Sequence, residues 1–354
     1  MDKLLVYPLD QNATPASGAP MSRQRLASPL CLVIAGFLLL ALVPAVASYL
    51  EEPFYIRFAT RVMIMALAAV SLDLILGFGG MVCFGHAAFM GVGAYAIGIM
   101  AWHVENGEPI MSWPFVLQPF DQLYFTWPAA VAAAALVALV IGLISLRTSG
   151  LYFIMITLAF AQMLYYFFIS LETYGGEDGL QFTPPTELGF IDLDDRITFY
   201  YVTLAVLAGC SYLVWRIVNS RFGMVIRGAQ QNDRRMRAIG FSTYQYKLAC
   251  FVISGAIAGL AGVMLAQSQQ FVSPADMAWV RSSELITMVI VGGIGTVFGP
   301  IVGAATYLLL ELVIGSYTTH WQVILGPILI FVVLFAKGGL ASAFGALGGR
   351  KVRQ

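Results

Sequence analysis

Of 354 residues, 59% are hydrophobic and 11% charged, with a formal net charge of zero and a mean hydropathy of +0.82. Soluble chains carry about 25% charged residues, so a water-soluble globular fold is excluded. The balanced charge gives no bulk attraction to nucleic acid or to an acidic partner.

Residues 1–28, which include "QNATPASGAP", read as a polar N-terminal tail without the basic region and cleavage site of a removable signal peptide. Apolar blocks follow at roughly 30–50, 54–76, 81–101, 128–146, 151–171, 198–218, 246–267, 284–294, 300–316 and 322–336. Blocks of about 18 or more apolar residues cross a bilayer as helices, because in lipid a helix satisfies its own backbone. The expected fold is an all-α integral membrane protein of about ten transmembrane or re-entrant helices over 29–338, with a second tail at 339–354. The eighth block, "ELITMVIVGGI", reaches only about half the bilayer at ~1.5 Å per residue and predicts a half-helix or re-entrant element. The cysteines, Cys31, Cys83, Cys210 and Cys250, lie in apolar segments without paired or metal-type spacing.

Short loops rich in Lys and Arg stay cytoplasmic. With both termini inside, fifteen of the nineteen basic residues fall on the cytoplasmic side, and only Arg57, Arg61, Arg196 and Arg281 fall outside. The acids run the other way, with "DLDD" at 192–195 on an outer loop. The chain therefore reads as N-in and C-in.

The longest inner connection, 219–245, holds "RFGMVIRGAQQNDRRMRAIGF", with five arginines against one acid, Asp233. Other inner connections, such as "RTSG" at 147–150, are as short as a turn. Met236, Ile239 and Phe241 among the cations form a small amphipathic knob suited to a groove on a cytoplasmic partner, and Gly240 is placed to end a short helix. A plain solvated loop is the other reading.

Two glycine-rich stretches look alike: "GFGGMVCFGHAAFMGVGAYAIG" (77–98) and "VGGIGTVFGPIVGAATY" (291–307). Gly79, Gly80, Phe84 and Gly85 answer to Gly292, Gly293, Phe298 and Gly299, with one residue of offset. Paired Gly-interrupted segments mark repeat-built transporters whose substrate path lies between the repeats. Gly79, Gly80, Phe84, Gly85, His86, Gly292, Gly293 and Gly295 are the candidate pathway residues. A hydrogen-bonded structural role is the simpler reading of His86. Asp73, Glu284 and Glu311 lie in or near apolar spans; Asp73 and Glu284 sit near span ends where water reaches, and Glu311 lies deeper. No "GxxxxGK[ST]" is present, so no ATP hydrolysis is expected of this chain itself. No acid, base or metal set converges, which argues against an enzyme.

Five ordered stretches carry a family likeness: "GFGGMVCFGHAAFMGVGAYA", "SLRTSGLYFIMITLAFAQM", "YGGEDGL", "RFGMVIRGAQQNDRRMRAIGFSTYQYKLACFVISGAIAGLAGVM" and "GGIGTVFGPIVGA". From about residue 55 to 336 the chain resembles the LivM-type permeases of branched-chain amino acid ABC importers. The resemblance implies a multi-pass protein of the bacterial inner membrane. It also implies a second, homologous permease, two ABC ATPase subunits that hydrolyse the ATP, and a periplasmic substrate-binding protein. No cofactor is expected on this chain. In such importers a cytoplasmic loop docks on the ATPase, commonly through a Glu-Ala-Ala-x-x-x-Gly pattern. Arg234-Arg235-Met236-Arg237-Ala238-Ile239-Gly240 stands there, with Gly240 matching, and Asn232-Asp233 where the family tends to Asn-Glu. The ATPase-coupling set is therefore Arg227, Asn232, Asp233, Arg234, Arg235, Met236, Ile239 and Gly240, with Met236 and Ile239 expected to enter the ATPase groove. Urea, short amides or aromatic carboxylates are alternative cargoes, and a stand-alone secondary carrier or channel is the alternative of another class.

Overall fold

The computed structural model describes residues 27–49, 52–107, 109, 122–183, 187–188, 191–318 and 320–335. Nearly all of the first predicted tail and the whole of the second lie outside these residues.

The described chain is helical, in the order α1 (Ala27–Tyr49), α2 (Pro53–Asp73), α3 (His86–Asn106), α4 (Leu123–Ser145), α5 (Leu151–Ile169), α6 (Arg196–Val218), α7 (Arg221–Ala238), α8 (Thr243–Gln269), α9 (Trp279–Gly292), α10 (Gly299–Tyr317) and α11 (Trp321–Phe335). Seven of them are long and apolar enough to cross a membrane: α2 with its continuation to Phe78, α3, α4, α5, α6, α8 and α10. The chain is a multi-pass membrane protein. Each predicted apolar block overlaps a helix, though among the described residues seven rather than ten are long and apolar enough to cross, and the predicted loop at 219–245 contains the polar helix α7.

Local chemistry sets the ends. Pro53 opens α2, where a missing N–H costs nothing. Asp195 caps α6 by accepting the Ile197 and Thr198 amides. The Thr198 hydroxyl, donating to Asp195 Oδ2 at 2.8 Å, is the main hold that keeps its exposed carboxyl below the usual range, with the amides adding to it. Gly107, at φ +68°, closes α3.

The centre of the bundle is the crossing of α8 with α3 and α4. Small residues allow it. A Cβ on Gly93 would strike the backbone of Gly259, and one on Gly262 would strike the carbonyl of Met90. Backbones approach this closely in membranes only where side chains are absent or minimal. Phe89 and Phe251 fill the space beside this crossing edge to face at 5.4 Å.

The eighth apolar block forms α9, 14 residues and about 21 Å at 1.5 Å per residue. Its missing length is supplied by irregular chain. A two-residue strand, Phe271–Val272, pairs with Leu180–Gln181, and a 3-10 turn, Pro274–Met277, leads into α9. This segment descends beside α3: Val272 lies against Gly98, Met277 against Gly91, and the Ser282 hydroxyl accepts the Ala87 amide at 3.0 Å. Irregular backbone at membrane depth requires such cover.

Candidate functional site: a glycine junction, a polar helix and a charged seam

The predicted helix at 81–101 begins only at His86, because the chain before it is unwound. The last turn of α2 widens into a π-helix, Leu74–Phe78, a feature frequent at functional sites. Gly80 turns out at φ +66°, and Gly85 becomes the N-cap of α3. The second glycine stretch repeats this construction. α9 stops at Gly292, Gly293 and Gly295 adopt φ of +119° and +74°, and Phe298 caps α10, which starts at Gly299.

The two breaks touch. The Gly295 amide donates to Asp73 Oδ1 at 2.9 Å, and a Cβ on Gly77 would collide with both Asp73 Oδ1 and the Gly295 backbone. Asp73 is 1% exposed, which corrects the expectation that water reaches it: the 292–299 loop folds over the end of α2 and closes it off. Its other oxygen, Oδ2, is buried without a hydrogen-bond partner. Of the predicted pathway residues, Gly295 makes this contact; Gly292 and Gly293 precede it in the same break, and Gly79 and Gly80 follow Gly77 in the other.

His86 is fully buried, with Nε2 2.8 Å from Ser71 Oγ. Ser71 Oγ gives its proton to the Ala68 carbonyl at 2.7 Å, so it accepts from His86 Nε2–H, which fixes the tautomer. This bond ties the start of α3 to α2.

α7 meets the junction directly. Gln230 Nε2 donates to the Gly77 carbonyl at 3.0 Å, satisfying an oxygen at the end of the π-turn, and its stem fills the space a Cβ on Gly80 would need. Sequence reasoning passed over Gln230, which carries no local signal beyond being a polar residue in a polar loop.

The rest of α7 sorts the predicted coupling residues into two groups. Several hold the element together. Arg227 donates to the Val218 carbonyl at 2.9 Å, tying α7 to the end of α6. Asn232 leaves the helical region at φ −157°, ψ 94° and accepts the Arg235 amide at 3.0 Å, so it is the N-cap of a second short helical stretch. Asp233 pairs with Arg237 one turn on and with Lys247 of α8 at 3.0 Å. Burial opposes its ionisation, but the hydrogen bonds from Arg237 and Lys247 outweigh this and hold its carboxyl below the usual range. Gly240, at φ +99°, ends the stretch as predicted. The Phe241 and Gly240 amides return to the Met236 and Arg237 carbonyls at 3.1 and 3.0 Å, the pattern of a Schellman cap.

Arg234, Arg235 and Ile239 form the other group and are exposed, Ile239 at 65%. Met236 is half-buried, and its sulfur lies where a Cβ on Gly228 would sit. It folds partly back on its own helix, leaving Ile239 the more exposed of the two expected docking residues.

A charged seam runs along α2, α9 and α10. Arg61 donates to Glu311 at 3.3 Å; Arg281 binds Glu284 at 2.9 Å and Asp276 at 3.4 Å. Arg61 lies eight residues inside α2, about 12 Å, and Glu311 six residues from the end of α10, about 9 Å. Glu284 and Glu311 were expected in or near apolar spans, and Arg61 and Arg281 on the outer side; their pairing joins residues up to 250 positions apart. Arg61, Arg281, Glu284 and Glu311 all retain some exposure. At the middle of a membrane helix a charge costs about 2.5–3.5 kcal/mol on insertion scales, and charges inside a span face protein or water rather than lipid.

The model of the family described as branched-chain amino acid transport system / permease component matches residues 54–335. The chain belongs to this family. It is 24% identical over 329 residues to the high-affinity branched-chain amino acid transport system permease protein LivM of Escherichia coli K12, covering 86% of this chain and 74% of that protein. It is also 24% identical over 299 residues to the probable branched-chain amino acid transport permease protein LivM of Methanocaldococcus jannaschii, covering 76% of this chain and 85% of that one. A shorter match, 27% over 123 residues, reaches the permease protein LivH of Escherichia coli K12, covering 34% of this chain and 40% of that protein. No solved structure matches the chain. The family model begins at the second residue of α2 and ends with α11, so the junction, α7 and the charged seam all lie within it.

Proposed function

We propose that this chain is the permease subunit of an ABC importer in a bacterial inner membrane, N-in and C-in. It forms half of the path for branched-chain or other hydrophobic amino acids. A second, homologous permease forms the other half, two ATPase subunits hydrolyse the ATP, and a periplasmic binding protein delivers the substrate. The observation that carries the coupling is the hydrogen bond from Gln230 to the Gly77 carbonyl: the helix offered to the ATPase also holds the junction where both broken helices meet.

Ile239 enters the ATPase, with Arg234 and Arg235 meeting acidic groups around it, an arrangement that sets register and partner choice. Displacement of α7 pulls through Gln230 on the π-turn, and Asp73 carries the movement to the 292–299 loop. Broken helices in two halves of a transporter are where rocking opens a path. At the other end, the turn at Gly175–Gly179 presents exposed Glu177 and Asp178 beside the strand pair that begins the re-entrant segment, a surface suited to the binding protein.

Two substitutions test this in the purified complex. Ile239→Asp is expected to reduce ATPase co-elution and uptake together, because a charge desolvated at the centre of an interface costs several kcal/mol. Unchanged transport at a normal membrane level removes the docking role. Gln230→Ala is expected to leave the ATPase bound while uptake per ATP hydrolysed falls several-fold, since the Gly77 carbonyl loses a partner worth about 1–3 kcal/mol. Uptake and hydrolysis falling in proportion refute the coupling role.

A further inference from the structure

An open cleft of ≈ 790 Å³ lies between α2 and α10, lined by Phe54, Arg57, Phe58, Arg61, Leu308 and Glu311 among others. Its volume is in the range of small-molecule sites, about 300–1,000 Å³. Arg57 and Gly77 are 20 residues apart on one continuous helical span, about 30 Å at 1.5 Å per residue, the thickness of the hydrocarbon core. The cleft therefore opens on the side opposite α7, which for an importer is the side of entry.

The side chains here are incompletely matched. Arg57 is exposed and, among the described residues, forms no ion pair. Arg61 gives Glu311 a single contact at 3.3 Å, and its Nε is buried without an acceptor. Among the described residues the cleft lining holds two guanidinium groups and one carboxylate; Asp276 also acts on Arg61, so the unmatched cation is Arg57. A carboxylate is what Arg57 lacks, and what Glu311 can take beside Arg61 is an ammonium. Phe54, Phe58, Leu308 and Leu312 supply apolar wall.

We propose that this cleft is an entry subsite for the zwitterionic head of a hydrophobic α-amino acid, with Arg57 and Arg61 on the α-carboxylate, Glu311 on the α-ammonium and the apolar wall on the side chain. The assignment rests on the importer reading above. A wholly anionic lipid headgroup suits the guanidinium groups but is repelled by Glu311; a zwitterionic headgroup, with phosphate and ammonium together, shares the amino acid's charge pattern, and the lipid-retention measurement below separates the two. The site is shallow and open, as a conduit requires, because a tight pocket would not release what it admits.

The test uses the whole complex in vesicles, with leucine as the probe on saturating loaded binding protein. Arg57→Gln is expected to lower leucine uptake about tenfold, the order expected when a charge-assisted hydrogen bond is lost, while ATPase co-elution is unchanged. Glu311→Gln keeps the shape of the acid without its charge and is expected to lower leucine uptake in the same way, with ATPase co-elution unchanged. Undiminished uptake in Arg57→Gln or in Glu311→Gln overturns the proposal. So does a phospholipid retained by the unaltered complex and released by Arg57→Gln without any change in uptake, which makes the cleft a lipid seat. If the unaltered complex imports none of leucine, isoleucine or phenylalanine, the amino-acid reading itself fails, and this subsite fails with it.

Discussion

Gly262→Val is expected to leave little monodisperse protein after extraction in detergent. A Cβ at this position meets the carbonyl oxygen of Met90, with the Met90 carbonyl carbon at 2.6 Å and its Cα at 3.0 Å. Those are backbone atoms within α3, so no side-chain rotation relieves the clash and the two helices must separate. Separation would open the surroundings of Val263 and Met264, both at 0% exposure. Overpacking a well-filled site costs about 1–3 kcal/mol and more where nothing can yield, against a total of about 5–15 kcal/mol for a folded domain. Gly209→Ala is the comparison: no atom lies within 4 Å of a Cβ there, and alanine is favoured over glycine within a helix by roughly 0.5–1 kcal/mol. Light-scattering melts of the two proteins separate these cases. A Gly262→Val protein melting with the parent would show that α3 and α8 do not cross backbone to backbone.

The sequence disclosed the elements whose cause is local. Long apolar blocks became helices because lipid leaves the backbone no other partner, and the short eighth block became the half-helix α9. Gly240 ended α7 because only a residue at ease at positive φ completes that cap. The contacts that join elements were not legible. Asp73 and Gly295 are 222 positions apart, and Gln230 and Gly77 are 153 apart. Neither pair has a period or motif to announce it. The likeness of the two glycine stretches was visible, but their meeting was not. Met236 reads as a docking residue by hydrophobicity alone; only the presence of Gly228 two turns earlier shows where its side chain has room to fold back. Arg61 and Arg281 were read as topological markers, because a charge count records the side of the membrane and not the partner.

Asp73→Leu is expected to abolish uptake and to lower the melting temperature by several degrees. The carboxylate is enclosed where α2 widens, and Oδ1 is the acceptor for the Gly295 amide. Leucine removes that acceptor and leaves a buried N–H unpaired, a loss of about 1–3 kcal/mol. It also places branched carbon where Asp73 Oδ1 and the Gly77 backbone already touch. The loop at 292–299 then loses its side-chain hydrogen bond to α2, and only the close backbone approach of Gly77 to Gly295 is left to pass a pull from Gln230 on to α10. Asp73→Asn separates this role from one that depends on charge. The amide keeps a carbonyl oxygen at the Oδ1 position and is expected to keep most of the uptake. Loss of uptake in asparagine as complete as in leucine would mean that the negative charge itself is required, and that the bond to Gly295 is not what the junction transmits.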